Sequence, residues 1–294
     1  MKLYFDKHHG LTLVSISFLL ILVSGCTLYP GYSTQPKPPI LIEKTQSYFD
    51  LMALPKPKGP IPVAVFNFRD QTGQYKPQHN VSSFSTAVTQ GATSILIEAL
   101  AHSDWFIPLE REGLQNILTE RKIIRAAKQS NNDQSELSPL MTSSILLEGG
   151  IIGYDTNTVT GGAGLGYYGI SVGELYRQDN ISIYLRAVDV RTSRILASVS
   201  TSKTVLSKEI RTGFFRYVSL NRLAEAEFGY STNEPHFMSV KQAVHKAVFA
   251  LIIEGIEKGI WQLKTSKDLE HPLIQAYKKS QQAVMGLSNN KTDG

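Results

Sequence analysis

Apolar positions recur every three or four residues in three stretches of this chain, and every second residue in several others. Phe84, Val88, Ala92, Ile95 and Ala99 keep helical spacing, as do Leu114, Ile117, Leu118 and Ile124 within 110–128. A third stripe runs from about Phe237 to Leu263 through Val240, Val244, Ala247, Val248, Leu251, Ile252, Ile256 and Ile260. That pattern predicts a long helix, with Lys241, His245, Glu254, Glu257 and Lys258 expected in solvent. Strand patterns occupy Val63–Phe68, Trp105–Leu109, Ile145–Tyr154, Ile181–Asp189 and Ile195–Thr204. Polar loops are expected over Arg69–Ser83 and Gln129–Thr142, and a polar, mobile tail after Leu263. Together these elements predict an α/β domain with a small sheet and packed helices.

Two segments lie outside the needs of such a domain: 157–177 and about 205–231. The first holds Gly164-Leu-Gly166-Tyr-Tyr-Gly169, a literal G-x-G-x-x-G, and Gly169-Ile-Ser171-Val-Gly173, a literal G-x-S-x-G. A phosphate-binding glycine loop needs a helix after it to hold the pyrophosphate, and a nucleophile elbow needs a helix directly after its serine. Ile170–Tyr176 has no helical period and another glycine, so both enzyme readings fail on context. Asp189, twenty residues on, does not replace that helix, nor does the order Ser171, then Asp179 or Asp189, then His236, His245 or His271. The segment alternates instead. Val159, Gly161, Ala163, Leu165 and Tyr167 share one parity; Thr158, Thr160, Gly162, Gly164 and Gly166 share the other. Tyr168, Ile170, Val172 and Tyr176 continue the apolar set, with Glu174 as an exception. In 223–230, Ala224, Ala226, Phe228 and Tyr230 oppose Leu223, Glu225, Glu227 and Gly229, while Ile210–Val218 is ambiguous because Phe214 and Phe215 differ in parity. This fits two membrane-crossing β-hairpins, and equally two soluble ones. Two hairpins cannot close a barrel, and open edges do not occur in hydrocarbon, so the membrane reading requires several chains.

The N-terminus narrows the setting. Lys2 and Lys7 precede the apolar run Leu11–Val23, too short to span a bilayer but suited to a signal peptide. Val23-Ser-Gly-Cys26 after it resembles a bacterial lipobox, which predicts a signal peptide over 1–25 and a lipidated Cys26. The alternative is an ordinary signal with an incidental cysteine. Thr27 favours outer-membrane sorting. Cys26 is the chain's one cysteine, which excludes intrachain disulfides and a cysteine metal site. Eight of the thirteen prolines fall within 30–62, so 26–61 reads as a tether and folding is expected to start near Pro62. The formal charge of +5 among 294 residues is dispersed, with no basic block of the kind a nucleic-acid groove needs. Seven histidines include no His-x-His or His-Glu-x-x-His pair, so no metal site is expected; His8 and His9 leave with the signal, and the rest are expected on the surface or as satisfied core residues.

Several motifs, in order and spacing, resemble the curli production assembly/transport component CsgG family. They are Phe66-Asn67 with Asp70-x-Thr72-Gly73-Gln74, Phe84-Ser-Thr-Ala-Val88, Trp105-Phe-Ile-Pro-Leu-Glu-Arg111, Gly113-Leu-Gln-Asn116 and Glu120-Arg-Lys-Ile-Ile-Arg-Ala-Ala127. Glu148-Gly with Ile151-Ile-Gly-Tyr154, Thr201-Ser-Lys-Thr204 and Gly229-Tyr with Asn233-Glu-Pro235 complete the match, which runs from the lipobox to about Leu263.

The resemblance implies an outer-membrane lipoprotein with a periplasmic α/β domain (62–156, 178–204 and 232–263), transmembrane hairpins at 157–177 and 205–231, and a polar tail over 264–294. It implies a nonameric ring, whose hairpins close an oligomeric β-barrel of about 36 strands. It also implies passive, nucleotide-independent export of unfolded amyloid subunits of the CsgA/CsgB type, with accessory partners of the CsgE (periplasmic cap) and CsgF type, no enzymatic activity, and no cofactor other than the lipid on Cys26. The family's constriction carries a Tyr, an Asn and a Phe ahead of its first long helix. By match these fall on Gln78, Ser83 and Phe84, and an apparent one-residue insertion leaves His79 and Asn80 as alternatives for the polar layer. The competing reading is a non-pore periplasmic scaffold lipoprotein.

Overall fold

The computed structural model describes residues 38–39, 41–42, 44–75, 86–163, 170–219, 222–233 and 236–289; within these, 156–177, 206–233 and 284–289 are described by backbone alone. Residues Lys44–Gly294 form one unit and Met1–Glu43 another. The larger unit is built as α1 (Gln46–Met52), β1 (Ile61–Asp70), α2 (Ala92–His102), β2 (Phe106–Leu109), α3 (Leu114–Ser130), β3 (Ile145–Ala163), β4 (Ile170–Asp189), β5 (Ile195–Ser219), β6 (Arg222–Asn233), α4 (His236–Glu257), a 3₁₀ turn at Ser266–Glu270 and α5 (Pro272–Asn289). The architecture is mixed α/β, as the sequence predicts.

One sheet runs in the order β2-β1-β3-β4-β5-β6. β2, β1 and β3 are parallel; β3 to β6 form an antiparallel meander. α2 and α4 pack side by side against the sheet. Leu147, Ile151, Ile181, Ile183 and Leu185 of the sheet meet Val244, Val248, Leu251 and Ile252 of α4, all fully buried. Each such side chain contributes about 1.5–3 kcal/mol on leaving water.

The structure departs from the sequence pattern at both ends. The tether expected over 26–61 contains α1, because Leu51 and Leu54 are buried against the helix layer and Tyr48 lies on His245. Beyond Leu263 the described chain is largely helical, over Ser266–Glu270 and Pro272–Asn289. Ile274 is fully buried, and the Tyr277 ring stands edge-on to Phe249 with centroids 6.1 Å apart. Among the described side chains of α5 only Ile274 and Tyr277 are buried, too few to mark the segment as apolar.

Helix boundaries also move. The helix expected from Phe84 starts at Ala92, because Thr86–Gln90 is spent on turn contacts: Thr86 bridges to Tyr75, and Ala87 N–H donates to Gln74 O. The helix expected to reach Leu263 ends at Glu257. Gly259 adopts φ +67°, and Ile260 N–H and Gly259 N–H close onto Gly255 O and Ile256 O in a Schellman cap.

Lys241 and His245, expected in solvent, are buried, because α1 and α2 both pack against α4: Tyr48 of α1 lies on His245, and Glu98 of α2 meets Lys241. Lys241 Nζ donates to both Glu98 oxygens, at 3.0 and 3.2 Å. His245 was expected to be surface or satisfied; it is fully buried and neither ring nitrogen has a partner. Burial, and then the Lys241 charge, push its pKa down to about 4. The imidazole is therefore neutral across the physiological range.

Candidate functional site

Two regions carry the sequence-derived hypotheses: the loop ahead of α2 and the long strands β3–β6. Gln78, Ser83 and Phe84 lie outside the described residues, as do His79, Asn80 and Cys26. What is described is the stem of 76–85. Tyr75 and Thr86 form an antiparallel bridge across it. Asp70, at the end of β1, organises the near side: its Oδ1 accepts Thr72 N–H at 2.9 Å and Thr72 Oγ1–H at 2.7 Å. Its Oδ2 accepts Gln90 Nε2–H from the far side at 3.1 Å. Gly73 turns the chain with φ +64°.

The stem hangs on β3. Asp70 pairs with Ile151, Gln71 N–H donates to Ile151 O, and Gln71 Nε2 reaches Gly149 O at 3.2 Å. Gly150 permits this approach, since a Cβ there would stand 2.3 Å from Arg69 O. The register of β3 shifts between Ile151 and Gly153, and Tyr154 follows directly.

Neither glycine motif has enzyme context. Residues 164–169 lie outside the described ones, and the chain after them is β4, a strand and not a helix. Ser171 lies within that strand and opposes Gly213 of β5. Asp179 is eight residues further along the same strand, about 26 Å at strand rise, so Ser171 cannot join it in a triad. Asp189 is a turn residue. Its carboxylate accepts Thr192 N–H and Arg191 N–H, which hold its pKa below the usual carboxylate range. Among the described residues no group of three His, Cys, Asp or Glu could hold a metal ion.

β3, β4 and β5 run without interruption from the domain into the alternating segments. In register, Val159 opposes Tyr176 and Ala163 opposes Val172. Ile170 then opposes Phe214, and Phe214 opposes Ala226. Ile210 opposes Tyr230, and Thr212 opposes Phe228. Residues paired across strands share a sheet face, so the apolar parities of all four strands coincide. This register resolves the ambiguous stretch: Phe214 belongs to the apolar set, whereas Phe215 pairs with Glu225. Among the described residues, no strand pairs with β3 beyond Ile151 on the side away from β4, nor with β6 on the side away from β5.

Where these strands leave the domain, Tyr154, Asp179 and His236 converge. Asp179 Oδ2 accepts Tyr154 Oη–H at 3.0 Å and lies 3.0 Å from His236 Nε2. In the sequence Asp179 and His236 stand only in a triad order that Asp189, His245 and His271 fit as well, and nothing there singles out Asp70, Gln90 or Tyr154 as positioning groups. The Asp70-x-Thr72 spacing, which favours an Asx turn, is the one local signal that pointed there.

Fold and site define a mixed α/β domain whose sheet extends into two paired hairpins, with a clamped loop between β1 and α2. The chain belongs to the CsgG family, described as the curli production assembly/transport component, whose profile matches residues 44–281. It is 45% identical over 264 residues to the protein of that name from Salmonella typhimurium strain LT2, covering 88% of this chain and 94% of the relative. Identity is also 45% to the Citrobacter koseri protein over 267 residues, covering 88% and 96%. The Escherichia coli K12 protein gives 45% over 268 residues, covering 89% and 96%. The family is one of transport components and not an enzyme family.

Proposed function

We propose that this chain is a subunit of an outer-membrane secretion channel, which exports unfolded curli-type amyloid subunits by passive diffusion through a ring constricted by the loop Pro77–Phe84. The observation that carries this reading is the register of β3–β6, which lines up the alternating apolar positions of the four strands on one face, with Glu174, Lys208 and Arg216 as exceptions, and mostly small and polar residues on the other, with Leu175, Phe215 and Leu223 as exceptions. That is the division a barrel wall needs between lipid and a wet lumen. No described helix is long and apolar enough to cross a membrane, which has no bearing on strands.

Two further features support a ring. The free edges of β3 and β6 would leave unpaired backbone groups in hydrocarbon, and copies joined β6 to β3 would pair them. α3 has no buried residue, and its Leu118 and Ile123 are 38% and 56% exposed, apolar side chains that a neighbouring copy could cover. In this reading each subunit gives four strands, Cys26 carries the lipid anchor, Phe84 supplies an aromatic ring to the constriction, and Gln78 and Ser83 supply a polar layer. Partners of the cap and surface-accessory type would act at the two mouths.

The test is planar-bilayer recording from purified oligomers, which should give discrete conductance steps. Intact rings without channels would refute the pore and favour the scaffold reading. The Cys26→Ala variant should still require detergent; a scaffold would become soluble. Phe84→Ala should raise conductance, and no change would remove Phe84 from the constriction.

A further inference from the structure

Asp179 is 1% exposed. A carboxylate that deep is tolerable only when hydrogen-bonded, and two of its partners come from other elements. Tyr154 Oη of β3 donates at 3.0 Å, His236 Nε2 of α4 lies at 3.0 Å, and these two atoms are 3.2 Å from each other. Each element leads to a different functional part. β3 carries the loop stem at Ile151, three residues before Tyr154, with the register shift between them. β4 is the return strand of the first hairpin. α4 follows β6, the last strand of the second hairpin, and His236 stands three residues past its end at Asn233.

A register irregularity lets a strand bend, and the stem would swing with β3 if the strand were held on one side only. We infer that Asp179 is a positioning residue for the pore, whose contacts with Tyr154 and His236 hold the constriction stem and the roots of both hairpins in one arrangement. The inference rests on the channel reading above. The chemistry is that of a buried anion shared by a phenol and an imidazole from separate elements: moving either element strips a donor from a charge that water does not reach.

The experiment is single-channel recording from rings that migrate intact on native gels. Tyr154→Phe deletes only a hydroxyl, and Asp179→Asn keeps the shape without the charge. Both should spend roughly fivefold more time in a second conductance level, the factor that one net hydrogen bond of about 1 kcal/mol gives. His236→Ala should behave like Asp179→Asn, while His236→Gln, which keeps a donor, should restore the wild-type record. A merely structural role would lower ring yield or melting temperature and leave the surviving rings' conductance statistics unchanged. That outcome in both Tyr154→Phe and Asp179→Asn overturns the inference. Wild-type rings without channels would refute the pore reading instead.

Discussion

Gln90 Nε2 donates to Asp70 Oδ2 across 3.1 Å, and so joins the chain on the two sides of residues 76–85. With Thr72 bound to the other carboxylate oxygen, one side chain holds both legs of the stem. Asp70→Ala removes three acceptor contacts, at a cost of about 1–3 kcal/mol to local structure. Chymotrypsin cleavage after Phe84 should accelerate roughly fivefold or more, while the global melting temperature moves little. Equal cleavage rates in the two proteins would show that the loop is held from elsewhere.

His245 makes stability depend on pH. Its folded pKa is about 4 and its ordinary value 6.5, so between these the unfolded chain binds a proton that the folded chain does not. Stability therefore falls as pH drops through about 6.5, and the loss is complete below about 4, reaching about 3 kcal/mol. Urea titrations of wild type and His245→Leu from pH 7.5 to 4.5 measure this. The leucine variant should lose less stability over that range, and parallel profiles would exclude His245 as the source.

Lys241 is 6% exposed and depends on Glu98 for its countercharge, whereas Glu98 is itself part-exposed. Glu98→Gln should cost about 1–2 kcal/mol, because a buried ammonium loses its partner next to the neutral His245. Lys241→Met should cost less, since it removes the charge that needs compensating. Chemical denaturation of the two single variants and the double variant reads the order directly.

Ile274 tests the C-terminal helix. Its side chain is fully buried beside Tyr277, in a segment whose composition suggests a tail. Ile274→Ala should destabilise by about 2–4 kcal/mol, and a chain stopped after Leu263 should lose at least as much. An unchanged melting temperature on truncation would mean that α5 adds nothing to the core.

Elements with a strong single period were legible in the sequence: the apolar stripe of α4, the strands around Val63 and Ile181, and the alternation of the hairpins each need only one face buried. The failure of both glycine motifs was legible too, because it turned on the absence of a helical period after Gly169. The clamp at Asp70 and the cluster at Asp179 were not, since their partners lie 20 residues away at Gln90 and 57 away at His236. No periodicity links positions that far apart.

By itself, then, the chain determined the segments with a strong single period, though not α1 or α5, and the apolar parity of the alternating strands other than Ile210–Val218, because side chains repeat with the geometry of their own element. Tertiary structure alone decided how those parities line up. Register is set between strands, and only the pairing of Ile170 with Phe214 and of Phe214 with Ala226 puts one phenylalanine on the apolar face and its neighbour on the other. It also decided that Lys241 and His245 lie indoors, because α1 and α2 close over the polar side of a helix whose pattern predicted water there.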